Sequence, residues 1–299
     1  MMKPSKNQIN FLSKRIIAFC ISIVIIITGL VKLLTTNNAI VSIDFTGGIE
    51  AQIEFQEKIE IEKIKNKLTD NSILRDLSII QFGKDSEVLM KSKFSGTNNE
   101  FQEILSKSFK DKPFKINRID LIGPKVGKEL QSDAFYAVVL ALVLILLYIG
   151  FRFDFYYSIG SIAALLHDVL AVLSILLLFN YEISLHVIAA LLTIVGYSLN
   201  DTIVVFDRIR ENILLYKKKN PLFDIINFSL NKTLSRTIIT SLTTLLVLLS
   251  LYFLGGDSIK LFSFSLIVGV LVGTYSSLFV ASPVLYFFES KQSEKQKEE

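Results

Sequence analysis

Six apolar runs constrain this 299-residue chain more than any other feature. They cover about Ile16–Leu34, Ala134–Ile149, Tyr157–Phe179, Ile183–Phe206, Thr237–Leu254 and Leu261–Phe288. A helix needs about 20 apolar residues to cross a bilayer core of ~30 Å. Inside lipid every backbone N–H and C=O must find a partner within its own segment, so runs of this kind become helices. The 51% hydrophobic content matters because it is clumped into these runs. The first run is too long for a cleaved leader, and Thr35-Thr36-Asn37-Asn38 offers no small-x-small site, so it is expected to remain as a helix.

Basic residues set the expected orientation. Lys3, Lys6, Lys14 and Arg15 precede the first run, and Arg152 lies between the second and third. Arg208, Arg210, Lys217, Lys218, Lys219, Lys232 and Arg236 crowd the link between the fourth and fifth, and Lys291, Lys295 and Lys297 the tail. On the other side, Asn180–Glu182 has none and Gly255–Lys260 only Lys260. The positive-inside rule then puts both termini in the cytoplasm. Residues 1–35 are expected to hold the cytoplasmic N-terminus and first helix, and 36–130 an external domain. Residues 131–290 hold helices two to six with a cytoplasmic basic loop at 207–233, and 291–299 a cytoplasmic tail. Leu222, Phe223, Ile226 and Leu230 share one face after Pro221, which suggests a separate helix on the membrane surface. Asp207 and Arg208 are read as interfacial anchors or topogenic charges, His186 as an interfacial residue.

The external segment alternates like a half-buried strand at Ile49, Ala51, Ile53 and Phe55. A preceding strand is expected at Ile40–Phe45, joined through Thr46-Gly47-Gly48. Helical stripes follow at Ile61–Leu68, ending near Asp70-Asn71, and at Phe101–Phe109. Further strands are expected at Ile73–Phe82, Glu87–Lys93 and Phe114–Ile122. Two helices on one face of a mainly antiparallel sheet make a ferredoxin-like α+β domain. The fold class is therefore an α-helical membrane bundle of six transmembrane helices with an inserted external α+β domain.

Asp201 interrupts the fourth apolar run. A carboxylate within a bilayer costs about 2.5–3.5 kcal/mol on insertion scales and marks a functional site by default. Thr193, Tyr197 and Asn200 or Asp201 recur at helical spacing, as do Arg236, Thr240, Thr243 and Thr244 on the fifth run. If the two stripes meet, Asp201 can pair with Arg236. Burial disfavours a charged carboxylate and a guanidinium favours it, so a changing separation would toggle protonation. A static ion pair that fixes helix packing is the alternative. His167-Asp168, in the third run, either extends a proton path or is a hydrogen-bonded packing pair. Ser265, Gly269, Gly273, Ser277 and Ala281 form a small-xxx-small face that suits packing, not chemistry. Cys20 is the single cysteine and the two histidines are too few for a metal centre, so no metal is expected. No nucleotide loop or nucleophile elbow occurs, and no second acid is expected on a span beside the fourth. An enzyme, an aspartyl intramembrane protease included, is therefore not expected.

Asp44-Phe45-Thr46-Gly47-Gly48, Gly123-Pro124-Lys125-Val126-Gly127, His167-Asp168, Gly196–Asn212 and Arg236-Thr237 to Thr240-Ser241 resemble the SecF proteins of the SecD/SecF family. The resemblance covers nearly the whole chain in order and places it among the RND permeases, of whose fold this would be half. It implies an export subunit of the bacterial inner (plasma) membrane that uses the proton motive force to complete preprotein translocation. It implies an obligate SecD partner, work beside the SecYEG translocon with YajC and YidC, unfolded preprotein as cargo, and no nucleic acid. Proton-path roles carry over to Asp201 and Arg236, with Asn200 and Thr240 beside them. A structural role goes to Asp44, Gly47 and Gly48. No cofactor is implied; the coupling ion is H+, with Na+ left open. Half of an RND-type exporter of small molecules or lipids, and a non-transporting scaffold, are the competing readings.

Overall fold

The computed structural model describes residues 8–35, 41–57, 60–69, 74–82, 84–94, 96–110 and 112–298. Expectations placed on 1–7, 36–40, Asp70-Asn71, Ile73 and residue 299 lie outside that set. Contacts divide the chain into two units, Met1–Ile40 with Val138–Glu299, and Val41–Ala137.

Six helices are long and apolar enough to cross a membrane: Leu12–Thr35, Pro124–Arg152, Phe155–Leu178, Leu185–Tyr216, Leu222–Leu254 and Ile259–Gln292. Several outrun the apolar stretch that announced them. Pro124 opens the second span, its fixed φ and missing N–H suiting the first helical position. The surface helix expected at Leu222–Leu230 is instead the start of a single 33-residue helix, Leu222–Leu254. Hydropathy marks where a helix meets lipid, not where it starts, and Asn227 to Thr233 contain no breaker. Of the basic stretch 207–233, only 217–221 separates two helices.

Small residues set the packing. A Cβ on Gly269 would fall 2.2 Å from the Ile194 side chain, and one on Gly273 3.0 Å from Ser198 Cβ. The sixth span therefore lies hard against the fourth. Gly29 likewise brings the first span onto the third at Ser174, where a Cβ would fall at 2.2 Å. Close backbone approach of this sort is how helices associate where lipid offers no hydrophobic drive. Two apolar clusters fill the bundle, one around Phe153, Tyr157, Phe206 and Leu285, the other around Val172, Ile194, Leu248 and Leu266. The third and sixth spans are largely covered; the second is nearly bare.

The smaller unit carries β1 (Gly48–Phe55), β2 (Arg75–Gln81), β3 (Glu87–Lys93) and β4 (Phe114–Ile122). The strands are antiparallel in the order β2-β3-β1-β4, with helices Ile61–Thr69 and Asn98–Ser108 between them. This is the ferredoxin-like succession. Ile49, Ala51, Ile53 and Phe55 project from one face of β1 into a core with Ile64, Leu68, Phe101 and Leu105. Thr97 and Glu100 close a capping box at the second helix.

Within the described part of the expected strand Ile40–Phe45, residues 41–45, no strand forms. Ser42 instead caps a short helical turn, Ile43–Thr46, its hydroxyl accepting the Asp44 N–H at 3.4 Å. Gly47 and Gly48 then take φ of 71° and 142°, open to glycine but strained for other residues. A Cβ on Gly47 would lie 2.9 Å from Pro124 Cα, and one on Gly127 2.9 Å from Gly47 N. The two glycine motifs thus touch backbone to backbone.

Candidate functional site

Asp201 lies midway along the fourth span, half-buried. The Thr237 hydroxyl of the fifth span donates to one carboxylate oxygen at 2.8 Å. The Ser277 hydroxyl of the sixth donates to the other at 2.5 Å. Among the described residues no ion pair reaches Asp201, so the expected bond to Arg236 is not formed. The reason is helical phase. Neighbouring residues on a helix point ~100° apart, and it is Thr237 that faces the fourth span while Arg236 is exposed. Asn200, Thr240 and Thr243 share that exposed side. The Thr240 hydroxyl returns to the Arg236 carbonyl of its own helix at 2.9 Å. Below Thr237, Ser241 meets Thr274 of the sixth span at 2.6 Å.

A second acid sits deeper. Asp168 is fully buried and accepts from Ser198 of the fourth span and, at 2.9 Å, from Ser276 of the sixth. Its other oxygen lies 3.0 Å from His167 Nδ1. His167 Nε2 is 2.9 Å from Ser22 Oγ on the first span, and Ser22 is 3.1 Å from the Tyr275 hydroxyl. Tyr275 donates to the Ala18 carbonyl at 2.7 Å. That last bond orders the rest. With the single phenolic proton on Ala18, Ser22 donates to Tyr275 and His167 Nε2–H donates to Ser22. One proton then lies between His167 Nδ1 and Asp168, and the pair is neutral overall whichever atom carries it. The expectation that no second acid neighbours the fourth span fails here. Asp168 is that acid.

The two acids meet the same turn of the sixth span, through the adjacent serines Ser276 and Ser277. The helix widens there into a π turn, Ser277–Ala281, just before Pro283. Proline has no N–H to give and its ring crowds the carbonyl four residues back, which accounts for the local change of pitch. Ser282 Oγ takes up the Ser277 carbonyl at 2.9 Å. Elsewhere, Asp207 pairs with Arg152 at 2.5 Å, tying the fourth span to the end of the second. His186 is exposed at the start of the fourth span, and Asp44 lies in the first turn of the short helix of the other unit.

The sequence does not single out Thr237, Ser276, Ser198, Ser22 or Tyr275. Serines and threonines are ordinary in membrane helices, and most bond their own preceding turn. Ser277 shares the small-residue face expected to pack. Gly269 and Gly273 do pack, but Ser277 holds Asp201.

Residues 101–291 match the family described as protein export membrane protein SecD/SecF, C-terminal. The protein translocase subunit SecF of Thermodesulfovibrio yellowstonii is 41% identical over 94% of both chains. The chain belongs to the SecD/SecF family. The Haemophilus influenzae SecF subunit is 42% identical over 82% of this SecF-family chain and 75% of its own length. The crystal structure of SecDF, a translocon-associated membrane protein from Thermus thermophilus, superposes with a TM-score of 0.85 at 36% identity. It covers 97% of this chain, which spans 40% of that longer one. The chain is thus a multi-pass membrane protein whose relatives are named as translocase subunits, transport components rather than enzymes.

Proposed function

We propose that this SecF-family chain couples ion flow across the inner membrane to the last stage of preprotein export. The carrying observation is Asp201, an acid between three spans whose partners among the described residues are neutral hydroxyls. No cation among those partners fixes its charge, so it can take up and release a proton as the spans move. The coupling ion is H+; a carboxylate flanked by two hydroxyls would also suit Na+.

Half of the site must come from elsewhere. Arg236, Asn200 and Thr240 stand exposed beside Asp201. An arginine against lipid costs up to about 2.5–3.5 kcal/mol at a span's centre, and Arg236 stands where the apolar run of its helix begins, so this polar face suits protein or water. A SecD-like set of spans supplies that cover and brings Arg236 into the working site. The 40% share of the SecDF chain fits a molecule completed by a separate subunit. The assembly acts beside SecYEG, with YajC and YidC as accessories. Both termini and residues 207–233 lie in the cytoplasm, and 36–130 lie outside, where preprotein emerges.

Asp201→Asn tests this in membrane vesicles holding the chain with its SecD-type partner. Release of a preprotein is followed with and without an uncoupler. The expected outcome is a loss of about a hundredfold in the gradient-driven rate, the low end for a group that handles the proton, with the partner still bound. Undiminished, uncoupler-sensitive release would defeat the proposal. A rate that follows an imposed Na+ gradient alone would reassign the ion.

A further inference from the structure

Ser276 and Ser277 each have one hydroxyl proton and two acceptors for it. For Ser276 these are Asp168 at 2.9 Å and the Gly273 carbonyl at 3.1 Å. For Ser277 they are Asp201 at 2.5 Å and the Thr274 carbonyl at 3.1 Å. Both side chains are wholly buried. A hydroxyl turns to the carboxylate when that carboxylate is the better acceptor, and back to its own helix when it is not. The two serines are neighbours on one turn, so a displacement of that turn's backbone moves both. That turn is where the helix widens, a deviation that recurs at functional sites.

We infer that Asp168 is a positioning residue for Asp201, acting through Ser276 to hold the turn on which Ser277 meets Asp201. The inference rests on the proton-coupled reading and deepens it. With the shared proton on His167, Asp168 is a full acceptor for Ser198 and Ser276, and the turn is held. With the proton on Asp168, Ser276 turns to the Gly273 carbonyl and the hold on Ser277 relaxes. A change at one acid is thereby conveyed to the other without a proton passing between them. The titratable or charged groups nearest the pair in the chain's helices are His167 on the third span and Tyr197 on the fourth, the other charged groups of these spans lying toward their ends. The fifth contributes Arg236, next to Thr237, and the sixth Tyr275. The first span contributes the Ser22 hydroxyl at this level, with Cys20 exposed away from it.

The test compares Ser276→Ala, Ser276→Thr, Asp168→Asn and Asp201→Asn in the partner-bound chain, each followed as preprotein release against pH. Ser276→Ala and Asp168→Asn are expected to displace the pH profile. Proton dependence should change by about fivefold or more, the lower end of coupling between sites. Ser276→Thr keeps the hydroxyl and is expected to restore the original profile. A lowered rate with an unmoved profile in Ser276→Ala would reduce the pair to packing and overturn the inference. So would failure of both Ser276→Ala and Asp168→Asn to assemble with the partner. The Asp201 variant separates this inference from the proton reading beneath it. If Asp201→Asn abolishes the pH dependence while Ser276→Ala leaves it in place, the inference alone falls. If Asp201→Asn keeps the parent profile, the proton reading falls with it.

Discussion

Asp168 and Asp201 touch the same turn of the sixth span, yet their surroundings differ in kind. Asp168 is enclosed by four spans of its own chain, which supply Ser198, Ser276 and, through His167, a bonded route to Ser22 and Tyr275. Asp201 sits at a rim, with two hydroxyls on one side and an exposed polar face on the other. A group completed by its own chain is built into the fold. A group left half-complete is available to a partner and to changing conditions.

Removing the two acids therefore has unequal costs. Asp168→Ala strands the Ser198 hydroxyl and leaves His167 Nδ1 without its partner, while Ser276 keeps the Gly273 carbonyl, and a buried donor left without an acceptor costs about 1–3 kcal/mol. It should lower the melting temperature of the detergent-solubilised chain well below that of Asp201→Ala. Asp201→Ala leaves Ser277 its Thr274 carbonyl and strands only the Thr237 hydroxyl, at the open rim, so it should cost less, about 1 kcal/mol. The reverse order would break the comparison. Ser22→Ala sharpens it. This change cuts the first span out of the network and should cost about 0.6 kcal/mol, read by the same melting curve. A cost as large as that of Asp168→Ala would mean the network depends on the first span more than on the acid. The smallest effect belongs to a carboxylate in water. The Asn117 amide, and less so Lys84, hold the Glu54 carboxyl below its ordinary value. A depressed value stabilises the folded form above the unfolded value of about 4.3 and is lost as pH falls through the folded one. Glu54→Gln should therefore slightly flatten the acid limb of unfolding, followed by amide exchange in β1, and leave neutral pH unchanged.

How much of this is legible in the sequence depends on what each residue contrasts with. Asp201 stands out because a charge in an apolar run has no bland explanation. The strand Gly48–Phe55 stands out because its alternation is strict. The partners of the acids do not, since a serine among leucines looks like a spacer. Which residue of the pair Arg236-Thr237 faces Asp201 is a question of rotation about the helix axis. Hydropathy on the fifth span, apolar nearly all round, does not fix that rotation. Over residues 41–45 the strand expectation fails because a β-like composition is overruled by Ser42 as a cap and by Gly47, whose positive φ turns the chain just before β1 begins. Asp168 is visible, but its depth is not, because burial among four helices is decided by residues far apart in the chain.

The fifth span has a geometric consequence. Thirty-three residues make a rod of about 50 Å at 1.5 Å per residue, against a lipid interior of ~30 Å. Swallowing the whole rod would demand a lean of more than about 50°, beyond the ~40° that such helices reach. Part of it must stand in water. Its leading end is not loose there: Asn231 exchanges two bonds with the Ile9 backbone at 2.8 and 2.9 Å, and Asn227 accepts the Leu12 N–H at 3.1 Å. The part in water is a buttressed post, braced by the opening of the chain and packed through Ile225, Ile226 and Leu230 against the ends of its neighbours.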